Sequence, residues 1–372
     1  MTIKGWCPGA YRPMMSGDGL ILRVRPRKGQ MSADQVLGLC ALAQEFGNGI
    51  VDLTSRDNLQ MRGIAEETHE TGLDALLNLG LLDDTPQLEQ RRNIVMTPVW
   101  SAGDVNERLH DALCARLGEL PGLPAKMGYA VDASARPVLQ DTSADFRFEA
   151  GADGGLILRL DGMSSGRAVS EDTAVDALIE AATWFVETGG PVAKRMARHV
   201  QNATPPAVWH THPAAHPGAP LSPGPTTQGT AYGAAFGSIN AKALAAVVTD
   251  SAATALQLTP WRVFVLRHAA PCAPHGFVTE PDDPLLSVHA CPGAPACAAA
   301  TVDTRALARA LAPFHAGGLH VSGCTKGCAR PRKTATTLVG RDGAYDLVEQ
   351  GHPWDQPRQR GLSPADLMTI KA

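Results

Sequence analysis

The sequence predicts an α+β fold built twice over, with its two halves related by pseudo-twofold symmetry. Three observations carry this. Residues 20–64 read as strand, helix, strand, strand, and residues 229–268 repeat that order. The stretches that follow, 92–132 and 286–328, also agree: in both, Pro precedes a helix, and a Leu-Pro or Gly-Gly-Leu turn leads into a strand and a polar loop. Between the copies lies "NATPPAVWHTHPAAHPGAPLSPGPTTQG", Pro-rich enough to be a linker or a long loop. Each half is then roughly 200 residues long. Two unrelated α/β units are the competing reading.

The elements of the first copy follow from local pattern. Residues 20–24 alternate and read as a strand. Ser32 caps a helix whose apolar face is Val36, Leu39, Cys40 and Ala43, and the helix stops at Gly47-Asn48-Gly49. A second strand covers 50–53, and "NLQMRGI" at 58–64 makes a third. An amphipathic helix at 69–79 closes at Gly80.

Composition narrows the function classes. At 372 residues, with 44% hydrophobic content, the chain is long enough for more than one sizeable core. A net charge of −4 and a pI near 6.3 give no global attraction to nucleic acid or an anionic membrane. The longest apolar run, at 73–82, is broken by Asp and Asn and falls short of a span. "MTIKGWCPGAYRP" has no apolar signal core, so a soluble cytoplasmic protein is expected.

Four of the eight cysteines fall in two tight pairs: "CPGAPAC" at 291–297 and "SGCTKGCARP" at 322–331. In a reducing compartment paired cysteines point to metal or catalysis rather than disulfides. Soft thiolates select zinc, iron–sulfur or copper(I). The C-x5-C spacing is loose for structural zinc and suits the wider corners of a four-iron cubane held by four Cys, though zinc stays open. Cys291, Cys297, Cys324 and Cys328 are the expected ligands. The equivalent loops of the first copy are expected to carry Arg92 and Lys126 instead, so that one copy holds metal and the other presents cations. Cys40 and Cys114 read as small buried hydrophobes at helical core positions, Cys272 as an unpaired loop thiol, and Cys7 as a thiol from which no chemistry follows.

These motifs resemble the sulfite and nitrite reductase superfamily. "CPGAPAC … SGCTKGCARP" is similar to its cluster signature, "TSRDNLQMRG" at 54–63 to its T-x-R-x-x-x-Q segment, "RRNI" at 91–94 to R-N-[VI], and "LPAKMG" at 123–128 to L-P-x-K. The order matches, and the likeness covers nearly the whole chain. It implies two ferredoxin-like half-domains, at 1–88 and 229–284, each followed by an α/β domain that binds cluster or tetrapyrrole, at 89–203 and 285–372. The stretch 204–228 would be the linker. It also implies a 4Fe-4S cluster, a siroheme bridged through Cys328, and Arg56, Arg92 and Lys126 on the catalytic, substrate side of the macrocycle plane. Sulfite reductases carry a second lysine in K-x-K; here that position is Gly128, which weakens the case for reducing a small oxyanion.

"GWCPGAYRPMMSGDGLILRVRPRKGQMS" and "HVSGCTKGCARP" are closer to the precorrin-hydroxylating branch of that superfamily, in aerobic cobalamin biosynthesis. That resemblance implies an iron–sulfur monooxygenase. It would hydroxylate precorrin-3A with O2 and close a γ-lactone. A carboxylate-fringed tetrapyrrole would then be the substrate, in a pocket that elsewhere holds one as cofactor. Arg pairs bidentately with carboxylates, and Arg12, Arg23, Arg25, Arg62, Arg330 and Arg332 are the expected substrate contacts.

The resemblance further implies a mononuclear non-haem iron, for which His and carboxylate ligands are apt. "WHTHPAAH" at 209–216 reads better as a surface loop, and His289 and His320 as cluster-side hydrogen bonders or packed groups, so no ligand is assigned. No dinucleotide fingerprint is present, so electrons drawn ultimately from NADH would arrive through a separate donor protein. A compact siroheme-dependent reductase and a non-enzymatic iron–sulfur carrier are the alternatives.

Overall fold

The structure, a computed structural model, describes residues 8–270, 272, 274–315 and 317–369; Cys7 lies outside the described residues. The first half begins with a hairpin, β1 (Met14–Ser16) and β2 (Gly19–Val24), followed by β3 (Gln30–Ser32) and α1 (Ala33–Glu45). Gly19 has φ +121°, and a Cβ there would sit 2.9 Å from the Gly63 carbonyl carbon, so only glycine lets the hairpin close. Ser32 forms a capping box, its hydroxyl accepting from Gln35 N at 3.2 Å while Gln35 Oε1 accepts from Ser32 N at 3.0 Å. The predicted face of α1, Val36, Leu39, Cys40 and Ala43, is buried. The strands β4 (Ile50–Leu53) and β5 (Leu59–Ile64) and helix α2 (His69–Asn78) follow at the expected places.

Next come α3 (Pro86–Arg91), β6 (Ile94–Met96), α4 (Val105–Ala115), β7 (Tyr129–Asp132), β8 (Phe146–Ala150), β9 (Leu156–Leu160), β10 (Ser165–Ala168), α5 (Glu171–Glu187) and the short α6 (Gly190–Ala193) and α7 (Met196–His199). Strands β6, β7 and β8 pair in parallel, and β9 and β10 continue the sheet antiparallel. Alternate residues Met96, Tyr129, Val131, Phe146 and Phe148 turn to one face and form a core with Leu109, Leu113, Leu178 and Phe185 of α4 and α5. Removing either phenylalanine ring would cost about 3–5 kcal/mol.

The Pro-rich join is ordered. Trp209 enters the core just described, β11 (His212–Pro213) adds an edge strand beside β10, and β12 (Gly224–Thr226) opens the second copy. That copy runs β13 (Gly229–Gly233), β14 (Ser238–Asn240), α8 (Ala241–Asp250), β15 (Ala255–Leu258), β16 (Val263–Arg267), β17 (Val288–Ala290), α9 (Arg305–Leu311), β18 (Leu319–Ser322), β19 (Thr334–Arg341), β20 (Ala344–Gly351), β21 (Gln359–Leu362) and α10 (Pro364–Thr369). The sheet β17–β18–β19–β20–β21 repeats the parallel, parallel, antiparallel, antiparallel pairing of β6–β10. The fold is therefore α+β and duplicated.

The halves are also interlocked. The two ferredoxin-like sheets have the orders β1-β2-β5-β4-β14 and β12-β13-β16-β15-β3, so each takes its last strand from the other half. Residues of α1 and α8 share one apolar core with Leu22, Met31, Met61, Leu256 and Phe264. A strand left at an edge exposes a row of unpaired N–H and C=O groups, and the exchange pairs the otherwise open sides of β4 and β15.

Strand register corrects one expectation. With β6 matched to β17 and β7 to β18, the cysteines follow the C-terminal ends of β17 and β18, whereas Arg92 and Lys126 precede the N-terminal ends of β6 and β7. The first-copy residue matching Cys291 is Thr97, which is fully buried. Loops at opposite ends of a strand look adjacent in sequence when the strand is only three or four residues long.

Candidate functional site

The two cysteine pairs meet because β17 and β18 are parallel neighbours. Ala290 pairs with Val321, so the strands end side by side, about 4.8 Å apart, and release both cysteine loops at one end of the sheet. Cys291 is buried, and its sulfur accepts from Gly323 N at 3.2 Å. A Cβ at Gly323 would lie 2.5 Å from Ala300 Cβ, so the close approach of these loops requires glycine. The Thr304 hydroxyl donates to the Cys291 carbonyl and fixes the loop from behind. Burial raises the Cys328 thiol pKa, and the neighbouring thiols of Cys291, Cys324 and Cys297 raise it further against the lowering pull of Lys326. Cys328 thus lies within electrostatic reach of the other three thiols, and none of the four is in a disulfide.

Four thiols with an N–H aimed at one sulfur form a soft donor set that fits an iron–sulfur cluster. Thiolates on a single tetrahedral zinc would stand about 3.8 Å apart. Among the described residues, no three His, Cys, Asp or Glu side chains are gathered to hold a single ion, so the implied mononuclear iron has no ligand set there either.

Behind the cysteines, His289 and His320 are register partners on β17 and β18. Burial lowers the His289 pKa to about 3, aided by the charges of Arg262 and Arg330, and the His320 pKa to about 4, aided by Arg330. Both rings are neutral at neutral pH, and Arg330 donates to His289 Nε2 at 3.0 Å. Arg332 is exposed on the same loop.

A second group forms around the β4–β5 turn. Arg56 donates to the Lys126 carbonyl at 3.1 Å and to Ser143 Oγ at 3.2 Å. Arg195 reaches the same hydroxyl at 3.2 Å while its Nε donates to the fully buried Asp145 at 2.9 Å. Arg56 thus meets the backbone of Lys126, both residues half-buried, and Arg195 and Ser143 join them, while Arg92 lies elsewhere. Neither addition was legible beforehand: "AKRMAR" at 193–198 is basic, but nothing in its spacing points to this turn. On the adjoining sheet Arg23 pairs in register with Gln60 of β5, which pairs with Asp52 of β4, so these polar groups share the face opposite the apolar core. Arg12 is exposed just before β1.

Other expected contacts are committed elsewhere. Arg92 is buried, with Nε 3.0 and 2.9 Å from the carboxylate oxygens of Asp83 and a terminal nitrogen 2.7 Å from the Arg25 carbonyl. Arg25 pairs with Glu89 at 3.0 Å. Arg62 donates to Asp18 at 3.1 and 3.0 Å and to the Ala296 carbonyl at 3.3 Å. A buried guanidinium must find carboxylates, and these three find them within the protein. Cys40 is a core residue whose thiol pKa burial pushes up to about 12.

The fold is of the nitrite/sulfite reductase kind. Residues 12–79 match the family model described as the nitrite/sulfite reductase ferredoxin-like half domain. The solved structure of the NirA protein of Mycobacterium tuberculosis superposes with a TM-score of 0.64 at 16% identity, covering 94% of this chain and 79% of that one. A ferredoxin–nitrite reductase from Synechococcus elongatus is 27% identical over 139 residues, 34% of this chain and 27% of its own. A precorrin-3B synthase from a Sinorhizobium species is 30% identical over 385 aligned positions, 94% of this chain and 83% of that protein. The chain belongs to the precorrin-3B synthase family.

Proposed function

We propose that the protein hydroxylates precorrin-3A with O2 and forms the γ-lactone, as a step of aerobic cobalamin biosynthesis. The observation that carries this is the 30% identity to a precorrin-3B synthase over 94% of the chain. Gly128 supports it from the other side. A Cβ there would lie 2.7 Å from Asn93 Nδ2 and 2.8 Å from its carbonyl, so the second lysine of the sulfite reductases has no room.

In this reading Cys291, Cys297, Cys324 and Cys328 hold a 4Fe-4S cluster, which when bound supplies single electrons. Arg56 and Lys126, with Arg195 beside them, pair with substrate carboxylates at the β4–β5 turn. Shielded hydrogen bonds to charged groups contribute roughly 1.5–3 kcal/mol each, so a few suffice for micromolar binding. Arg23 and Gln60 offer further polar contacts along the same face. Electrons come from a separate donor protein, with NADH as their ultimate source.

The test is the optical spectrum of anaerobically purified protein, with iron and acid-labile sulfide counted on the same sample, followed by incubation with precorrin-3A, reductant and O2. A broad cluster absorption without tetrapyrrole bands, and a product heavier by one oxygen, are expected. Intense siroheme bands would instead favour the compact siroheme-dependent reductase that the partial likeness to a ferredoxin–nitrite reductase suggests.

A further inference from the structure

The backbone of the first cysteine loop is gripped by the other half of the chain. The carbonyl of Ala296, immediately before Cys297, collects three donors from the first half: Ser16 Oγ at 2.8 Å, Gly17 N at 3.2 Å and Arg62 at 3.3 Å. Arg62 is itself fixed by Asp18 at 3.1 and 3.0 Å and by Ser16 Oγ at 3.1 Å, and it is buried. The fit is close: a Cβ on Gly17 would lie 2.7 Å from the Pro295 carbonyl oxygen and 2.8 Å from Ala298 N.

The same device recurs where there are no cysteines. Leu53 pairs with Leu59 and Leu258 with Phe264, so counting along β5 and β16 makes Arg267 the counterpart of Arg62. Likewise Ser16 pairs with Gly19 and Thr226 with Gly229, which makes Gln228 the counterpart of Asp18. Arg267 donates to Gln228 Oε1 at 2.8 Å and to the Trp100 carbonyl at 2.9 Å, in the loop after β6. Each hairpin thus clamps the other half's loop. Only on the cysteine side is the clamp an ion pair, with Asp18 in place of Gln228.

We infer that Arg62 is a positioning residue that holds Cys297 in its ligating place through the Ala296 carbonyl, so that the first half of the chain controls how well the second half retains its cluster. The inference rests on the four-cysteine cluster reading. A guanidinium can reach Asp18 and Ala296 together because it is a planar fork; an ammonium is a single point and satisfies one of them.

The experiment compares Arg62→Gln, Arg62→Lys and Arg267→Gln in the whole protein, purified anaerobically and then exposed to air. Iron, acid-labile sulfide and the electron paramagnetic resonance spectrum of the reduced cluster are followed, together with Tm. Arg62→Gln is expected to lose its cluster about 10- to 100-fold faster than unmodified protein, the usual effect of removing a group that orients a ligand. Arg62→Lys should fall between, and Arg267→Gln should lower Tm while cluster decay stays unchanged. Equal decay in Arg62→Gln and Arg267→Gln would overturn the inference, since the clamp would then act only through global stability. If Arg62→Gln does not fold, Ser16→Ala removes one of the same three donors, and unchanged decay and an unchanged spectrum there would also overturn it. Unmodified protein without four irons and four sulfides would remove the cluster reading itself.

Discussion

Arg92 and Asp83 form an ion pair sealed from solvent, with the Asp83 side chain wholly inaccessible and Arg92 Nε 2.9 Å from its nearer carboxylate oxygen. Removing Arg92 leaves the buried Asp83 carboxylate with the longer 3.5 Å contact of the largely exposed Arg27, and removing Asp83 takes the counter-ion from Arg92; breaking such a buried pair costs about 3–5 kcal/mol. Arg92→Ala and Asp83→Ala should therefore both lower the urea midpoint of unfolding strongly. An unchanged midpoint with weakened tetrapyrrole affinity would return Arg92 to the substrate side.

Cys324→Ser or Cys297→Ser should abolish cluster incorporation, because a hydroxyl is a poor replacement for a thiolate ligand. Iron and sulfide counts of the purified variants check this. A variant that keeps four irons and four sulfides would refute the ligand assignment.

Arg56→Gln and Lys126→Gln should weaken tetrapyrrole binding by about tenfold to a hundredfold, the equivalent of one shielded hydrogen bond to a charged group. The cluster spectrum should be unaffected, since Arg56 donates to the Lys126 carbonyl and to Ser143, both in the first half of the chain. Binding titrations monitored by tetrapyrrole absorption decide it, and an unaltered Kd would exclude both from the pocket.

Acid should loosen the fold through His320. Its two ring nitrogens are buried with no hydrogen-bond partner among the described residues, and its pKa is lowered to about 4 from 6.5. The unfolded chain takes up this proton below pH 6.5 and the native protein does not until about pH 4. The contribution of His320 is thus undiminished above pH 6.5 and falls across that window, by about 3 kcal/mol at 1.36 kcal/mol per pH unit. His320→Gln should flatten that part of the urea midpoint against pH; an identical slope would assign the acid sensitivity elsewhere.

Gly128→Ala should cost about 1–3 kcal/mol, as overpacking against the backbone carbonyl of Asn93 forces the chain apart. Thermal unfolding measures it, and a neutral result would mean that the segment yields freely.

Much of the fold was legible because its causes are local. Ser32 caps α1 through Gln35, three residues away, and β4 and β5 are short runs on either side of one turn, all within residues 50–64. The cysteine pairs were equally plain, since chemistry confines thiols at that spacing to few uses. The exchange of β3 and β14 was not legible: three residues carry too little periodicity to mark a strand, and their partners lie more than 180 residues away, at Ala255–Gln257 and Ile50–Asp52. Nor was the direction of Arg25, Arg62 and Arg92. A motif locates a residue near a site, but which carboxylate a guanidinium meets depends on elements that are remote in sequence.

By itself the sequence determined the duplication, the order of elements, the pairing of the cysteines and the segments that carry cations, because each rests on spacing within a short stretch. Only the tertiary structure decided which cations stay together and which are spent inside the protein. It sent Arg56 to the Lys126 carbonyl, Arg92 to Asp83 and Arg62 to the cysteine loop. The reason is physical: burying a charge is so costly that the nearest carboxylate or carbonyl in space, not in sequence, sets where each guanidinium points.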